Sequence, residues 1–204
     1  MILSLTAEKL ACTRGDRRLF ADLDFQVGAG EALVIEGANG VGKTSLLRLI
    51  AGFLPPAAGR VVIVMSETAI SEGEERGRHV GWLGHQDGIK PQLSVGEQLE
   101  FFANLYGVRS ALNGALERMG LSRQRLLPCR YLSAGQKKRL GLARLMVSKR
   151  PLWLLDEPFA ALDSAGRFLA AELMQAHCAS GGIVVAASHD PFGFKARSLR
   201  LGAS

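Results

Sequence analysis

A chain of 204 residues, 48% of them hydrophobic and with a formal net charge of +6, is long enough for one well-buried core and short for two independent ones. No run approaches the roughly 18 apolar residues that a bilayer-crossing helix needs, so a helical membrane span is excluded. Cys12, Cys129 and Cys178 are scattered without a CxxC or CxxCH spacing, which argues against a disulfide scaffold, a zinc site or covalent haem and predicts reduced, partly buried thiols.

The chain opens with Met1 to Leu10 and Phe20 to Val27, two stretches of partial apolar alternation that predict an antiparallel hairpin laid against a sheet. Glu8 and Lys9 interrupt the first stretch too early for the core of a secretory signal, so the chain is expected to stay in the cytosol. Leu33 to Ile35 reads as a core strand, followed by a helix that Gly52 ends and Pro55-Pro56 blocks from continuing. Arg60 to Met65 and Val80 to His85 read as further strands, with the charged Ser66 to Arg78 between them as a loop. Ser94 and Glu97 form a capping box ahead of Val95, Leu99, Phe102 and Tyr106 at helical spacing, and a second helix from about Ser110 to Met119 stops at Gly120. Residues 88–132 are thus expected as a helical insertion. A helix over Lys137 to Val147 leads to the apolar strand Leu152 to Leu155; an amphipathic segment, Ser164 to His177, then leads to the strand Ile183 to Ala187. Alternation of strand, helix and strand is the grammar of a parallel α/β sheet.

Positive charge gathers at Arg14, Arg17 and Arg18, at Lys137, Lys138 and Arg139, and at Lys195, Arg197 and Arg200. No helix-turn-helix or aromatic platform accompanies it, so a solvated face or docking surface is expected and nucleic acid is not.

Between the strand Leu33 to Ile35 and its helix lies Gly37-Ala38-Asn39-Gly40-Val41-Gly42-Lys43-Thr44, a phosphate-binding loop. Its glycines let the backbone N–H groups turn around an anion, and the start of the helix, from Ser45, adds partial positive charge. Lys43 is suited to neutralise the outer phosphates, and Thr44 offers a hydroxyl to a phosphate-bound Mg2+. Leu152 to Leu155 ends in Asp156 and Glu157, placing two carboxylates at the sheet edge where α/β proteins hold ligands. Asp156 is expected to hold Mg2+ through water, and Glu157 to orient or deprotonate the water that attacks the terminal phosphate.

Leu132-Ser133-Ala134-Gly135-Gln136 resembles the signature of the ABC ATPases. The other motifs of that family follow in order: Gln86 after a strand, Asp156-Glu157, Ala161-Leu162-Asp163, and His189 after Ile183 to Ala187. Singly, each is weak; in order, they cover nearly the whole chain. The resemblance implies one nucleotide-binding domain over 1–204 with a P-loop NTPase core of the ABC ATPase type, an N-terminal antiparallel β region and the helical subdomain at 88–132. It also implies ATP and Mg2+ as cofactors. A second copy would pack head to tail, so that ATP on Lys43 of one subunit meets Ser133, Gly135 and Gln136 of the other. By the same resemblance Gln86 touches Mg2+ and relays its state to a membrane partner, Asp163 crosses the dimer seam and His189 contacts the terminal phosphate. Two positions depart from the pattern. Arg14 stands where an aromatic residue usually stacks on adenine, which loosens the expected choice between adenine and guanine. Ala134 stands where glycine is commoner.

The short chain and the stretch Gly81-Trp82-Leu83-Gly84-His85-Gln86-Asp87-Gly88-Ile89-Lys90 are similar to the ATP-binding subunits of the bacterial haem exporter of cytochrome c maturation, the CcmA family. That resemblance implies a peripheral protein on the cytoplasmic face of the inner membrane, bound to CcmB-like and CcmC-like integral subunits, whose ATP hydrolysis drives haem delivery to, or release of, a haem chaperone. An ATPase of a lipid or drug exporter is the alternative within transporters. A soluble ABC protein acting on DNA or the ribosome is a further one, disfavoured by a single set of motifs and no sustained heptads. His85 is expected as an ordinary strand-end histidine rather than a haem ligand.

Overall fold

The computed structural model describes residues 1–84, 88–107 and 112–202. The hairpin is longer than its alternation suggests. β1 (Ile2–Arg14) and β2 (Arg17–Gly28) pair antiparallel, and β1 pairs on its other side with β4 (Ala58–Met65), which carries the short β5 (Ala69–Ile70). The alternation in β1 is partial because its pairing with β2 slips between Ala7 and Leu10, with Lys9 at φ 44°. Ile2, Leu5 and Ala7, then Leu10 and Cys12, still face the core.

The second sheet is parallel, in the order β6 (Val80–Leu83), β7 (Leu152–Asp156), β8 (Ile183–Ala187), β3 (Ala32–Glu36) and β9 (Arg197–Arg200). Successive residues of its inner strands enter opposite cores, which is why these strands read as unbroken apolar runs. Leu152, Leu154, Ile183 and Val185 face β1, β4 and the helix α1 (Lys43–Ala51). Trp153, Leu155, Val184 and Ala186 face α3 (Val95–Leu105), α4 (Leu112–Arg118), α5 (Ala134–Ser148) and α6 (Ser164–Ala179).

Between β6 and β7 the chain forms the helical region. The Ser94 capping box is present, its hydroxyl accepting from Glu97 N at 3.2 Å and Glu97 Oε2 accepting from Ser94 N at 2.7 Å. Phe102 and Tyr106 lie under Arg144 and Arg150, 4.9 Å from each ring centre, so cations finish the stripe that Val95 and Leu99 begin. The start of the expected second helix, and His85 at the end of the expected strand, lie outside the described residues.

Two features depart from the sequence expectation. β9 forms from the basic cluster Arg197 to Arg200 and pairs parallel with β3 as an edge strand. Its Leu199 packs on the core while the arginines stay exposed, a pattern too short and too charged to read as a strand. The second departure is in Ser66 to Arg78, expected as a loop, which contains β5 and a short helix, α2 (Gly73–Gly77), with Arg76 only 4% exposed. Its guanidinium donates to the carbonyls of Leu49 at 3.0 Å, Ile50 at 3.2 Å and Val61 at 3.2 Å, and to Ser71 O. The C-terminal carbonyls of α1 carry partial negative charge, so Arg76 serves as their counter-charge. Replacing Arg76 by Ala strips these buried carbonyls of their guanidinium donors, with Leu49 O keeping its bond from Gly52 N–H at 3.1 Å, at a cost of about 3 kcal/mol, seen as a lower urea midpoint. An unchanged midpoint would show the carbonyls satisfied some other way.

His177 on α6 stacks on Trp153 at 3.8 Å and lies 3.1 Å from the Pro151 carbonyl oxygen. Burial pushes the ring's pKa down to about 4. An unfolded histidine takes a proton near pH 6.5, so the folded state loses stability as pH falls from there towards 4 and keeps it fully above. The ring is half-buried, so the expected loss is about 2 kcal/mol after discounting for solvent. His177→Gln should flatten that limb of the stability profile; an identical limb in the variant would assign it to carboxylates.

Candidate active site

Polar chemistry is confined to the C-terminal ends of β3, β7 and β8, because both faces of these strands are buried. β3 runs into Gly37, whose φ of 146° suits glycine. A Cβ there would lie 2.8 Å from Leu201 O and 3.0 Å from Val41 Cγ1, so the close approach requires glycine. The loop turns back at Gly42, φ 115°, directly before α1. No side chain caps α1 and its first turn carries no acid, so its leading N–H groups and partial positive charge are available to an anion.

Lys43 is 8% exposed, and its ammonium donates to Gly37 O at 2.7 Å. Ala38 O follows at 3.4 Å. His189, just past β8, places Nε2 2.9 Å from the same ammonium and 3.1 Å from Asn39 Oδ1, accepting from Lys43 in one ring tautomer and donating to Asn39 in the other. Thr44 Oγ1 donates to Asp156 Oδ2 at 2.9 Å, tying the start of α1 to the end of β7. Asp156 is 7% exposed. Glu157 adopts φ 50°, a left-handed conformation costing about 1 kcal/mol for a side chain of its kind. Its N–H donates to Ala187 O at 2.9 Å, and its Oε1 stands 3.9 Å from His189 Nε2. The strained turn aims the second carboxylate across the sheet edge towards β8.

Beside these groups opens a cleft of about 270 Å³, which Gly37, Ala38, Val41 and His189 adjoin without lining. Asn39, Gly40, Gly42, Lys43, Thr44 and Ser45 form its floor, Asp156 and Glu157 one wall, and Arg14 and Leu19 of the hairpin the other. Leu19 carries no motif, and only the fold reveals it as a lining residue.

The remaining expected residues fall elsewhere. Gln86 lies outside the described residues. Ser133, Gly135, Gln136 and Asp163 do not line the cleft. Ser133 instead caps α5: its hydroxyl accepts from Gln136 N at 3.2 Å, and Gln136 Oε1 accepts from Ser133 N at 2.9 Å. The helix therefore starts at Ala134, three residues ahead of the expected Lys137, and the Ser-x-x-Gln spacing was the signal for it. Lys138 is buried in α5, so Lys137 to Arg139 is not one exposed basic face. A Cβ on Gly135 would lie 2.8 Å from Ala161 O, which seats the start of α5 directly on the turn before α6. Asp163 caps that helix, accepting from Gly166 N at 2.8 Å.

A glycine-rich turn from a parallel strand into an uncapped helix, facing carboxylates on a neighbouring strand, is the architecture of P-loop nucleotide-binding α/β proteins. Residues 20–160 match the family model described as ABC transporter. Over 203 residues the chain is 48% identical to a cytochrome c biogenesis ATP-binding export protein CcmA of Rhodopseudomonas palustris, covering 99% of this chain and 100% of the relative. The CcmA of Bradyrhizobium diazoefficiens is 45% identical over 201 residues, 98% of each chain. In fold, the chain is similar to a dimeric ATP-binding cassette solved in a post-hydrolysis state with ADP and Pi, with a TM-score of 0.83 at 23% identity over 97% of this chain and 94% of that one. The chain belongs to the ABC transporter family, as an ABC-type ATPase whose relatives of near-equal length are CcmA proteins.

Lys43→Ala removes the one ammonium on the cleft floor and should weaken ATP binding about ten- to a hundredfold, measured by calorimetry at fixed Mg2+. Unchanged affinity would contradict a phosphate role for Lys43.

Proposed function

We propose that this chain is the ATP-hydrolysing subunit of a membrane ABC complex serving cytochrome c maturation, powering haem delivery to, or release of, a haem chaperone. The end-to-end likeness to CcmA relatives, 48% over 203 residues, carries this reading. CcmB-like and CcmC-like integral subunits are the proposed partners, with this chain held peripherally at the cytoplasmic face of the bacterial inner membrane. Among the described residues no helix is long and apolar enough to cross a membrane.

In the proposed mechanism the α1 N-terminus and the Gly37–Thr44 loop cradle the phosphates, and Lys43 exchanges its carbonyl contacts for phosphate oxygens. Thr44 and Asp156 present hard oxygens 2.9 Å apart, a donor set that fits Mg2+, which takes few protein ligands beside phosphate and water. Gln86 is the further expected ligand, by family resemblance. Mg2+ bound there would neutralise phosphate charge. Glu157 orients the attacking water and accepts its proton as the new bond to the terminal phosphorus forms and ADP leaves. His189, already against Lys43, is placed to donate to the terminal phosphate. Ser133, Gly135, Gln136 and Asp163 lie away from this cleft, which supports their acting on nucleotide held by a second copy in a head-to-tail dimer. ATP then bridges two subunits, and its cleavage releases them.

Glu157→Gln keeps the shape and removes the base. The variant should bind ATP, turn over about 10²- to 10³-fold more slowly and accumulate an ATP-held dimer in size-exclusion chromatography. Near-normal turnover would reassign the base. Complexes isolated from membranes should contain integral subunits together with this chain; its recovery with ribosomes or polynucleotide alone would overturn the transporter reading.

A further inference from the structure

The segment that carries His189, between the end of β8 and Phe192, has a narrow hold on the rest of the molecule. Ser188 folds it on itself: its hydroxyl accepts from Asp190 N at 3.0 Å and donates to Asp190 O at 3.1 Å. β8 fixes one end, and Phe192, buried edge to face on Phe159 with ring centres 5.4 Å apart, fixes the other. Between them, among the described residues, the side-chain hydrogen bonds to other elements are those of His189, to Lys43 or Asn39, and that of Asp190, to Arg167. Lys43 and Asn39 belong to the phosphate loop, where a bound triphosphate competes for the same ammonium. Neither Asp190 nor Arg167 lines the cleft, so nucleotide held there does not compete for their bond.

Arg167 donates Nη1 to Asp190 Oδ1 at 2.6 Å and Nε to Leu162 O at 3.3 Å, tying the turn before α6 to the segment after β8. Folding stability does not account for its place. Arg167 lies in the first turn of α6, at the positive end of the helix dipole, with no acid in that turn. Its pair with Asp190 is 44% and 31% exposed, a setting in which an ion pair adds little to folding.

We infer that Arg167 is a positioning residue for hydrolysis: through Asp190 it holds the His189 turn, so that the imidazole stays aimed at the terminal phosphate once Lys43 has turned to the nucleotide. Removing the guanidinium leaves the phosphate cradle whole, so the loss falls on the chemical step and not on ATP affinity. The inference rests on the proposed contact of His189 with the terminal phosphate.

The test is steady-state ATP hydrolysis by the complex isolated from membranes, with ring-proton NMR of the histidines of the full chain. Arg167→Ala should lower kcat about tenfold and leave both KM for ATP and the urea midpoint unchanged. Asp190→Asn should behave like Arg167→Ala, and Arg167→Lys, which keeps a cation within reach of Asp190, should recover most of the rate. In a His189→Ala background Arg167→Ala should cost nothing further, because the guanidinium acts through the imidazole. The His189 ring resonance, assigned by its absence from His189→Ala, should shift in Arg167→Ala while those of His79 and His177 stay in place. A wild-type kcat in Arg167→Ala overturns the inference. So does a full tenfold loss on top of His189→Ala, or a loss of rate matched by a fall in the urea midpoint. An unmoved His189 resonance overturns it as well, even where His189→Ala is too slow to measure. If His189→Ala turns over like wild type, the phosphate contact of His189 falls and takes this inference with it; a slow His189→Ala beside a normal Arg167→Ala sinks this inference alone.

Discussion

Burial of the parallel sheet on both faces is the constraint from which the rest of the molecule follows. Leu152 and Leu154 enter one core while Trp153 and Leu155 enter the other, so β7 has no face left for a polar side chain until it ends at Asp156. The same holds for Ile183 to Ala187 and, largely, for Leu33 to Ile35. Three apolar strands with aligned C-termini can put their chemistry only at one edge, where Gly37 to Thr44, Asp156-Glu157 and His189 meet. The Thr44–Asp156 bond then closes β3, α1 and β7 into one unit.

Left-handed backbone and close contact occur at that edge as well as elsewhere in the fold, as at Lys9 and between Gly52 and Gly73. Glu157 takes a left-handed backbone at the strand end, and Gly37 presses against the Leu201 carbonyl. Ala161, also left-handed at φ 63°, presents its carbonyl to Gly135. The last contact matters most for an assembly. It joins the start of α5, carrying Ser133, to the turn carrying Asp163, a few residues beyond Glu157.

The ATPase edge and the Ser133 surface occupy different places on one chain. The P-loop follows β3 while Ser133 caps the start of α5 away from the cleft, so the two lie at separate places on the surface.

Most parts of the candidate cleft and of the helix starts were legible in the sequence because each is local. A glycine-rich turn between a strand and a helix, an apolar run closing on two carboxylates, and Ser-x-x-Glu at position 94 each declare themselves within a few residues. The capping box at Ser133 was equally local, and reading that stretch as a ligand motif hid its helix-starting role. Arg76 shows the other limit: charged neighbours made it look like loop, and only the buried carbonyls of α1 and β4 that it pairs make its burial worthwhile. β9 is similar, since Arg197 to Arg200 becomes a strand only because β3 offers an open edge. Which motifs exist was settled by residue type and spacing along the chain. Which of them share a cleft, and which face outwards towards a second molecule, was decided by strand order and packing, because those depend on contacts between residues far apart in sequence.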